Sequence, residues 1–321
     1  MRLLAKLLAK LLALVLALLL LGVAWLWWSN RDIPAAEIDR LYGGADLQRV
    51  MVDGVDLAYR VQGQGPPLVL IHSHFYTMRQ WQRWVDVLAD DFTVIRYDLT
   101  SHGLTGPDPS GDYSRARGSQ LLNGLLDHLD LTRVSIAGSS TGGGLAWYYA
   151  AHYPQRVDKL ILINAPGLPG VTNKYMETPL PDWSGYLLYL LPEGLFKPFL
   201  QAAVADKSLI TDEQVREFHL MYRRAGNRWA EFQRMRAWER GDISAELAAI
   251  RAPVLIMWGA ENPQLPVTQV AEYTARLVNS PQVEQRIYPG IGHVIPLEIP
   301  EQSAADARAF LLGEALTDDD Q

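Results

Sequence analysis

A serine held between glycines at fixed spacing is the first group in this chain that can do covalent chemistry. Gly138-Ser139-Ser140-Thr141-Gly142 reads G-x-S-x-G. It lies between an expected strand (Val134–Ala137) and an expected helix, the setting in which a serine is exposed on a sharp strand-to-helix bend. The glycines leave room for so tight a turn, and the helix N-terminus favours negative charge developing beside the serine. The spacing excludes Ser139. A serine hydroxyl is a poor nucleophile without a base, and His293, in YPGIGHVIPLE, is placed to be that base, after the last expected strand and before the last helix. His128 and His152 fall on expected helices and His219 in a long insertion, where a satisfied or solvated ring is the ordinary outcome. His72, His74 and His102 could be imagined as a metal cluster, but spacing alone gives that little support. No metal or organic cofactor is implied.

The elements that must position these groups follow from hydrophobic period. LQRVMV and VDLAYRV flank Asp53-Gly54, a hairpin turn signal. PLVLIH (67–72) is a continuous apolar run of the kind buried on both faces of a parallel sheet. Helical stretches at 79–89, 115–129 and 142–153 then precede FTVIRY, VSIAG and KLILIN. Strands alternating with helices imply βαβ units and an α/β fold with a mostly parallel central sheet and helices on both faces. The alternation stops at Ala165 and resumes at Pro253 with VLIMWG. Residues 165–250, with helix-period stretches at 211–223 and 228–239, are expected to form a helical cap inserted after the sixth strand. The core is then 46–164 and 251–315, with a further helix near 267–277, the strand VEQRIY and a last helix near 301–312. Residues 316–321 form a tail in which TDDDQ is expected to fray.

Composition bounds the partners. The chain has 321 residues, no cysteine and a formal charge of -7, so disulfides and thiol catalysis are excluded and no basic footprint for nucleic acid is present. Small molecules and lipid remain as expected partners; the oligomeric state is left open. From Leu11 to Trp28 no residue is charged, and Arg2, Lys6 and Lys10 precede the run. As a helix it is roughly 27 Å long, close to a bilayer's hydrocarbon thickness, and Trp25, Trp27 and Trp28 stand where indoles prefer the headgroup layer. A cleaved signal peptide has a shorter apolar region ending in small residues, and an interfacial helix needs a polar face that this one lacks. Residues 1–28 are therefore expected to be a transmembrane anchor, with 3–28 in contact with lipid and 29–45 as a short polar linker. The preceding positive charges imply a cell-membrane protein with a cytoplasmic N-terminus and its folded part on the periplasmic or extracellular side.

These pieces together resemble the α/β-hydrolase superfamily, from about Val50 to Leu312. LVLIHSHF with Trp81, YDLTSHGLTGP, GSSTGGG, VLIMWGAENPQLP and GHVIPLEIPE stand in that family's order. Within it the chain is similar to the capped branch of esterases and carbon–carbon bond hydrolases, and a serine nucleophile argues against the branch whose elbow carries aspartate. The resemblance implies an oxyanion hole built from the backbone N–H groups of His74 and Thr141, worth about 3 kcal/mol each. Ser73 and Ser101 stand where the family usually has glycine. The acid departs further. The family's aspartate position in WGxxD is Asn262, and the alternative position of some relatives is Asn164. An amide can hold an imidazole in place but cannot stabilise the imidazolium by charge. Three outcomes are open: Glu261 serves as the acid from one residue away, Asn262 orients His293 in a slower site, or the fold is kept for binding alone. Leu168, Tyr175, Trp183, Tyr186, Leu190 and Phe196 of the insertion are expected to line an apolar channel to Ser140 or to serve as packing. The implied activity is hydrolysis of a small or lipophilic carboxylic ester through an acyl-enzyme. A catalytically impaired binding protein and a carbon–carbon bond hydrolase are the alternatives.

Overall fold

Apolar runs in the sequence become strands covered on both faces. The computed structural model describes residues 2–168, 180–237, 239 and 241–316. The strands are β1 (Gln48–Val52), β2 (Val55–Gln62), β3 (Pro67–Ile71), β4 (Thr93–Tyr97), β5 (Val134–Ser139), β6 (Val157–Ile163), β7 (Val254–Gly259) and β8 (Val283–Tyr288). They form one sheet in the order β1-β2-β4-β3-β5-β6-β7-β8. β1–β2 and β2–β4 are antiparallel, and every pairing from β4–β3 onward is parallel. The helices are α1 (Arg2–Ser29), α2 (Ala35–Tyr42), α3 (Gln82–Leu88), α4 (Arg115–His128), α5 (Thr141–His152), α6 (Phe196–Gln201), α7 (Asp212–Tyr222), α8 (Asn227–Arg236), α9 (Ser244–Ala249), α10 (Gln269–Arg276), α11 (Ile295–Glu298) and α12 (Pro300–Leu312).

Alternate residues of each inner strand face different layers, as a period of two requires. Val69, Ile71, Leu160, Leu162, Val254 and Ile256 pack with α4, α5, α9 and α10, whereas Leu68, Leu70, Ile161, Ile163, Leu255 and Met257 pack with α3 and α12. Burying one such side chain contributes about 1.5–3 kcal/mol. The parallel strands point their C-terminal ends the same way, so the loops after β3, β5, β7 and β8 gather at one edge. Ligand sites of open α/β sheets form there.

The chain between β6 and β7 is helical, as the broken alternation predicts. Thr211 and Gln214 close α7 with a reciprocal capping box, and Phe196, Leu200, Val215, Phe218 and Tyr222 make a small core that packs on Val294 beside the histidine loop. The expected channel residues divide. Leu168 joins the main core, Phe196 the insertion's own core, and Leu190 is half-buried. Trp183 and Tyr186 are 65% and 55% exposed and face outward. Tyr175 and residues 317–321 of the tail lie outside the described residues.

α1 is long and apolar enough to cross a membrane, and none of it is buried. The polar stretch that follows is not slack. Ile33 N–H donates to Arg223 O and Ala225 N–H to Ile33 O, both at 2.8 Å, and Asp32 pairs with Arg228 at 2.5 Å. Trp27 stacks on Tyr189 of the insertion with ring centroids 5.1 Å apart, and α2 buries Ile38 completely.

Candidate active site

Ser140 sits at φ 50°, ψ -120°, a conformation that a non-glycine residue holds only when its surroundings enforce it. Its N–H donates to Ile163 O at 2.8 Å and its carbonyl accepts from Gly144 N–H at 3.0 Å. The flanking glycines are obligatory by contact. A Cβ on Gly142 would lie 2.2 Å from Ile71 O, and one on Gly138 would lie 2.3 Å from Gly142 O. β5 therefore passes against β3 and turns into α5 with no space for side chains there, leaving the Ser140 hydroxyl at the bend.

His293 Nε2 lies 2.8 Å from Ser140 Oγ. The histidine loop is fixed by its backbone: His293 N–H donates to Ala203 O of the insertion at 2.8 Å, and Asn164 Nδ2 donates to His293 O at 2.8 Å. Asn164 also accepts from Gly259 N–H at 3.1 Å. It braces the loop and the end of β7, and it does not bond the imidazole.

The imidazole's other nitrogen, Nδ1, is 3.1 Å from Asn262 Oδ1. That same oxygen accepts from Gln264 N–H at 3.0 Å and Leu265 N–H at 3.1 Å, while Asn262 Nδ2 is buried without a partner. Rotating the amide would aim its NH2 group at two backbone donors, so the oxygen is held inward. An acceptor facing Nδ1 places the ring proton there and leaves the Nε2 lone pair on Ser140 Oγ. Glu261 is exposed, its N–H bound to Ile291 O at 2.9 Å. The structure brings Asn262 and not Glu261 to the ring, because the backbone bond turns the glutamate outward. Burial pushes the His293 imidazole down to about 4 from its usual 6.5, with no carboxylate among the described residues to oppose it.

Thr141 opens α5 immediately after Ser140, and His74 lies in the loop after β3 on the other side of the bend. The N–H groups on either side of His74 are taken by side chains: Ser73 N–H by Gln80 Oε1 at 2.9 Å and Phe75 N–H by His102 Nε2 at 3.1 Å. Beside Thr141 a cavity of ≈ 80 Å³ is lined in part by Leu99, Tyr113, Leu145, Pro166 and Arg234.

Of the three histidines with a metal-like look, His72 is structural: Nδ1 donates to Ser73 O at 2.8 Å and Nε2 accepts from Leu99 N–H at 2.9 Å. Donor atoms of His74, His102 and Glu231 do lie within 4.8 Å of one another. The lone pair of His102 Nε2 is engaged by Phe75 N–H, and both Glu231 oxygens are bonded by Arg234. Those atoms form a hydrogen-bonded cluster around an internal cation. Sequence reasoning missed Glu231 and Arg234, since nothing in a helix-period stretch marks which charges turn inward.

A family model described as "alpha/beta hydrolase fold" matches residues 66–300. An uncharacterized protein of Mycobacterium tuberculosis is 33% identical over 262 residues, covering 77% of this chain and 75% of its own length. The 2-hydroxy-6-oxo-6-phenylhexa-2,4-dienoate hydrolase of Burkholderia cepacia is 24% identical over 255 residues, covering 72% of this chain and 82% of its own. The crystal structure of a membrane phospholipase A, a bacterial virulence factor, is similar in fold, with a TM-score of 0.71 at 24% identity. It covers 98% of this chain and 99% of that one, so the likeness takes in the N-terminal helix.

Proposed function

The chain belongs to the α/β-hydrolase family, and from that premise we propose that it is a serine hydrolase of carboxylic esters. The observation that carries the reading is the 2.8 Å contact between Ser140 Oγ and a His293 ring whose tautomer Asn262 fixes. Ser140 Oγ attacks the ester carbonyl carbon as His293 Nε2 takes the hydroxyl proton. The backbone N–H groups of Thr141 and His74 hold the oxygen that becomes negative. The tetrahedral intermediate collapses, the alcohol leaves with the proton from Nε2, and Ser140 carries the acyl group. His293 then deprotonates a water, which releases the acid and returns the proton to Ser140. Asn262 keeps the ring oriented throughout but offers no charge to the imidazolium.

A lipophilic substrate fits the setting. α1 serves as the membrane anchor, with the N-terminus in the cytoplasm and the folded part on the far side. The outward-facing Trp183, Tyr186 and Leu187 lie on the 182–190 stretch of the insertion that α1 abuts, and the exposed Phe199 lies on α6. The test is hydrolysis of p-nitrophenyl butyrate and decanoate by the full chain in detergent, alongside Ser140→Ala. Turnover that Ser140→Ala lowers by at least about 10³-fold is expected. Activity unchanged in Ser140→Ala removes Ser140 as nucleophile. No fluorophosphonate adduct on Ser140 favours a binding protein, and cleavage of a dienol-type diketone with none of esters favours carbon–carbon bond hydrolysis.

A further inference from the structure

The ring of His74 is bonded to a carboxylate from the insertion. Glu231, on α8 and 2% exposed, accepts from His74 Nε2 at 2.5 Å and from Ser101 Oγ at 3.2 Å. Arg234, one turn along the same helix, donates Nε to Oε2 at 2.9 Å and Nη2 to Oε1 at 2.8 Å. Burial opposes a charge on Glu231, but Arg234 and His74 outweigh it and hold the carboxyl well below the usual range. The cluster is thus an internal ion pair whose remaining acceptor capacity is spent on two loops of the core.

Those loops are the ones where the sequence departs from the family's glycines. Ser101, at φ 70°, carries the hydroxyl that reaches Glu231, and a glycine there has nothing to donate. Ser73 Oγ donates to Ser139 Oγ at 2.9 Å and accepts from Gln80 Nε2 at 3.1 Å, tying the oxyanion loop to the nucleophile strand. Between these fixed points His74 is steadied by its own side chain, which stacks on Phe75 with centroids 3.6 Å apart and ends on Glu231.

From these contacts we infer that Glu231 is a positioning residue: it holds the His74 imidazole, and through it the His74 backbone N–H, where the ester oxygen becomes negative. The inference rests on the ester-hydrolase reading. It makes the insertion part of the oxyanion site as well as a cover over it. A donor placed for the tetrahedral oxygen acts on the chemical step more than on ground-state binding. Loss of Glu231 should therefore lower kcat and spare KM.

The experiment compares Glu231→Ala, Glu231→Gln and the double variant Glu231→Gln with Arg234→Gln, which removes both internal charges together and so protects the fold. Glu217→Gln is the control, because it cuts another insertion–core pair, with Arg79 at 2.6 Å, and leaves the His74–Glu231 bond in place. All are full-length chains in detergent, assayed on p-nitrophenyl butyrate and melted in parallel. Expected are a fall in kcat of about 100-fold for Glu231→Ala and about tenfold for Glu231→Gln and the double variant. KM should stay within about twofold throughout, and Glu217→Gln should leave both constants unchanged. In protein labelled with 15N-histidine, Glu231→Gln should displace the His74 amide signal and leave that of His293 in place, and n-butylboronic acid, which forms a tetrahedral adduct on serine, should bind more weakly. A folded Glu231 variant with wild-type kcat, a loss confined to KM, or an equal loss in Glu217→Gln overturns the assignment. A wild-type chain that neither hydrolyses the ester nor binds the boronate removes the hydrolase reading itself.

Discussion

Asn262 does two of the three things an aspartate does at this position. It accepts from the ring and, pinned by the Gln264 and Leu265 N–H groups, it fixes which ring nitrogen bears the proton. In a serine protease the same amide substitution drops turnover about 10⁴-fold, with the wrong tautomer as a cause; here that cause is absent and only the missing charge remains. Asn262→Asp should raise kcat about 10- to 100-fold, the difference between a neutral and a charge-assisted bond. It should also move the acid limb of kcat/KM upward from about 4, the value burial imposes on His293, because a carboxylate favours the imidazolium. A pH–rate profile of both chains checks this; an unmoved limb contradicts it. Ser140 and His293 were legible because motif and chain order announce them. Asn262 was among the outcomes the sequence offered, but the choice between it and Glu261 was not legible, since the direction of the Asn262 side chain is set by two loop N–H groups that follow Pro263.

At the scale of elements, apolar runs located the strands to within a residue or two, because packing on both faces leaves them no freedom of register, and helical periods located α4, α5, α7, α10 and α12 as closely, while the short α6, α9 and α11 went unmarked. The hairpin at Asp53-Gly54, the bend at Ser140 and the insertion after β6 all stand where the pattern puts them. Tightness at the bend was expected from the glycines, and the contacts give it a magnitude. Gly142→Ala drives a methyl into Ile71 O and His72 O, backbone atoms that can yield only by separating β3 from β5. A loss of about 3 kcal/mol and no labelling of Ser140 by a fluorophosphonate are expected; a melting temperature within a degree or two of wild type is the contrary result. Less legible was the outward direction of Trp183 and Tyr186. A helical period says which residues share a face, and not which face meets the core.

For the molecule as a whole, buried neutral imidazoles make stability depend on acidity. Burial lowers His72, His102, His219 and His293, the last two to about 4. Between pH 6.5 and about 4 the unfolded chain therefore binds protons that the folded one refuses. Stability is full above pH 6.5 and is lost as pH falls through that window. His293 alone accounts for about 2 kcal/mol between pH 7.5 and 5, and the urea midpoint should drop accordingly; a flat profile would show that these rings charge freely. Nothing local marks the pairing of the stretch after α1 with the α7–α8 turn, since partners nearly two hundred residues apart leave no trace in either segment. That pairing has a mechanical consequence. With Asp32 clasped by Arg228 and Ile33 threaded between Arg223 and Ala225, the catalytic body has no leash on which to swing. If α1 lies in a bilayer, the mouth of the enzyme is carried at one height and one tilt above the lipid, like a tool clamped in its holder.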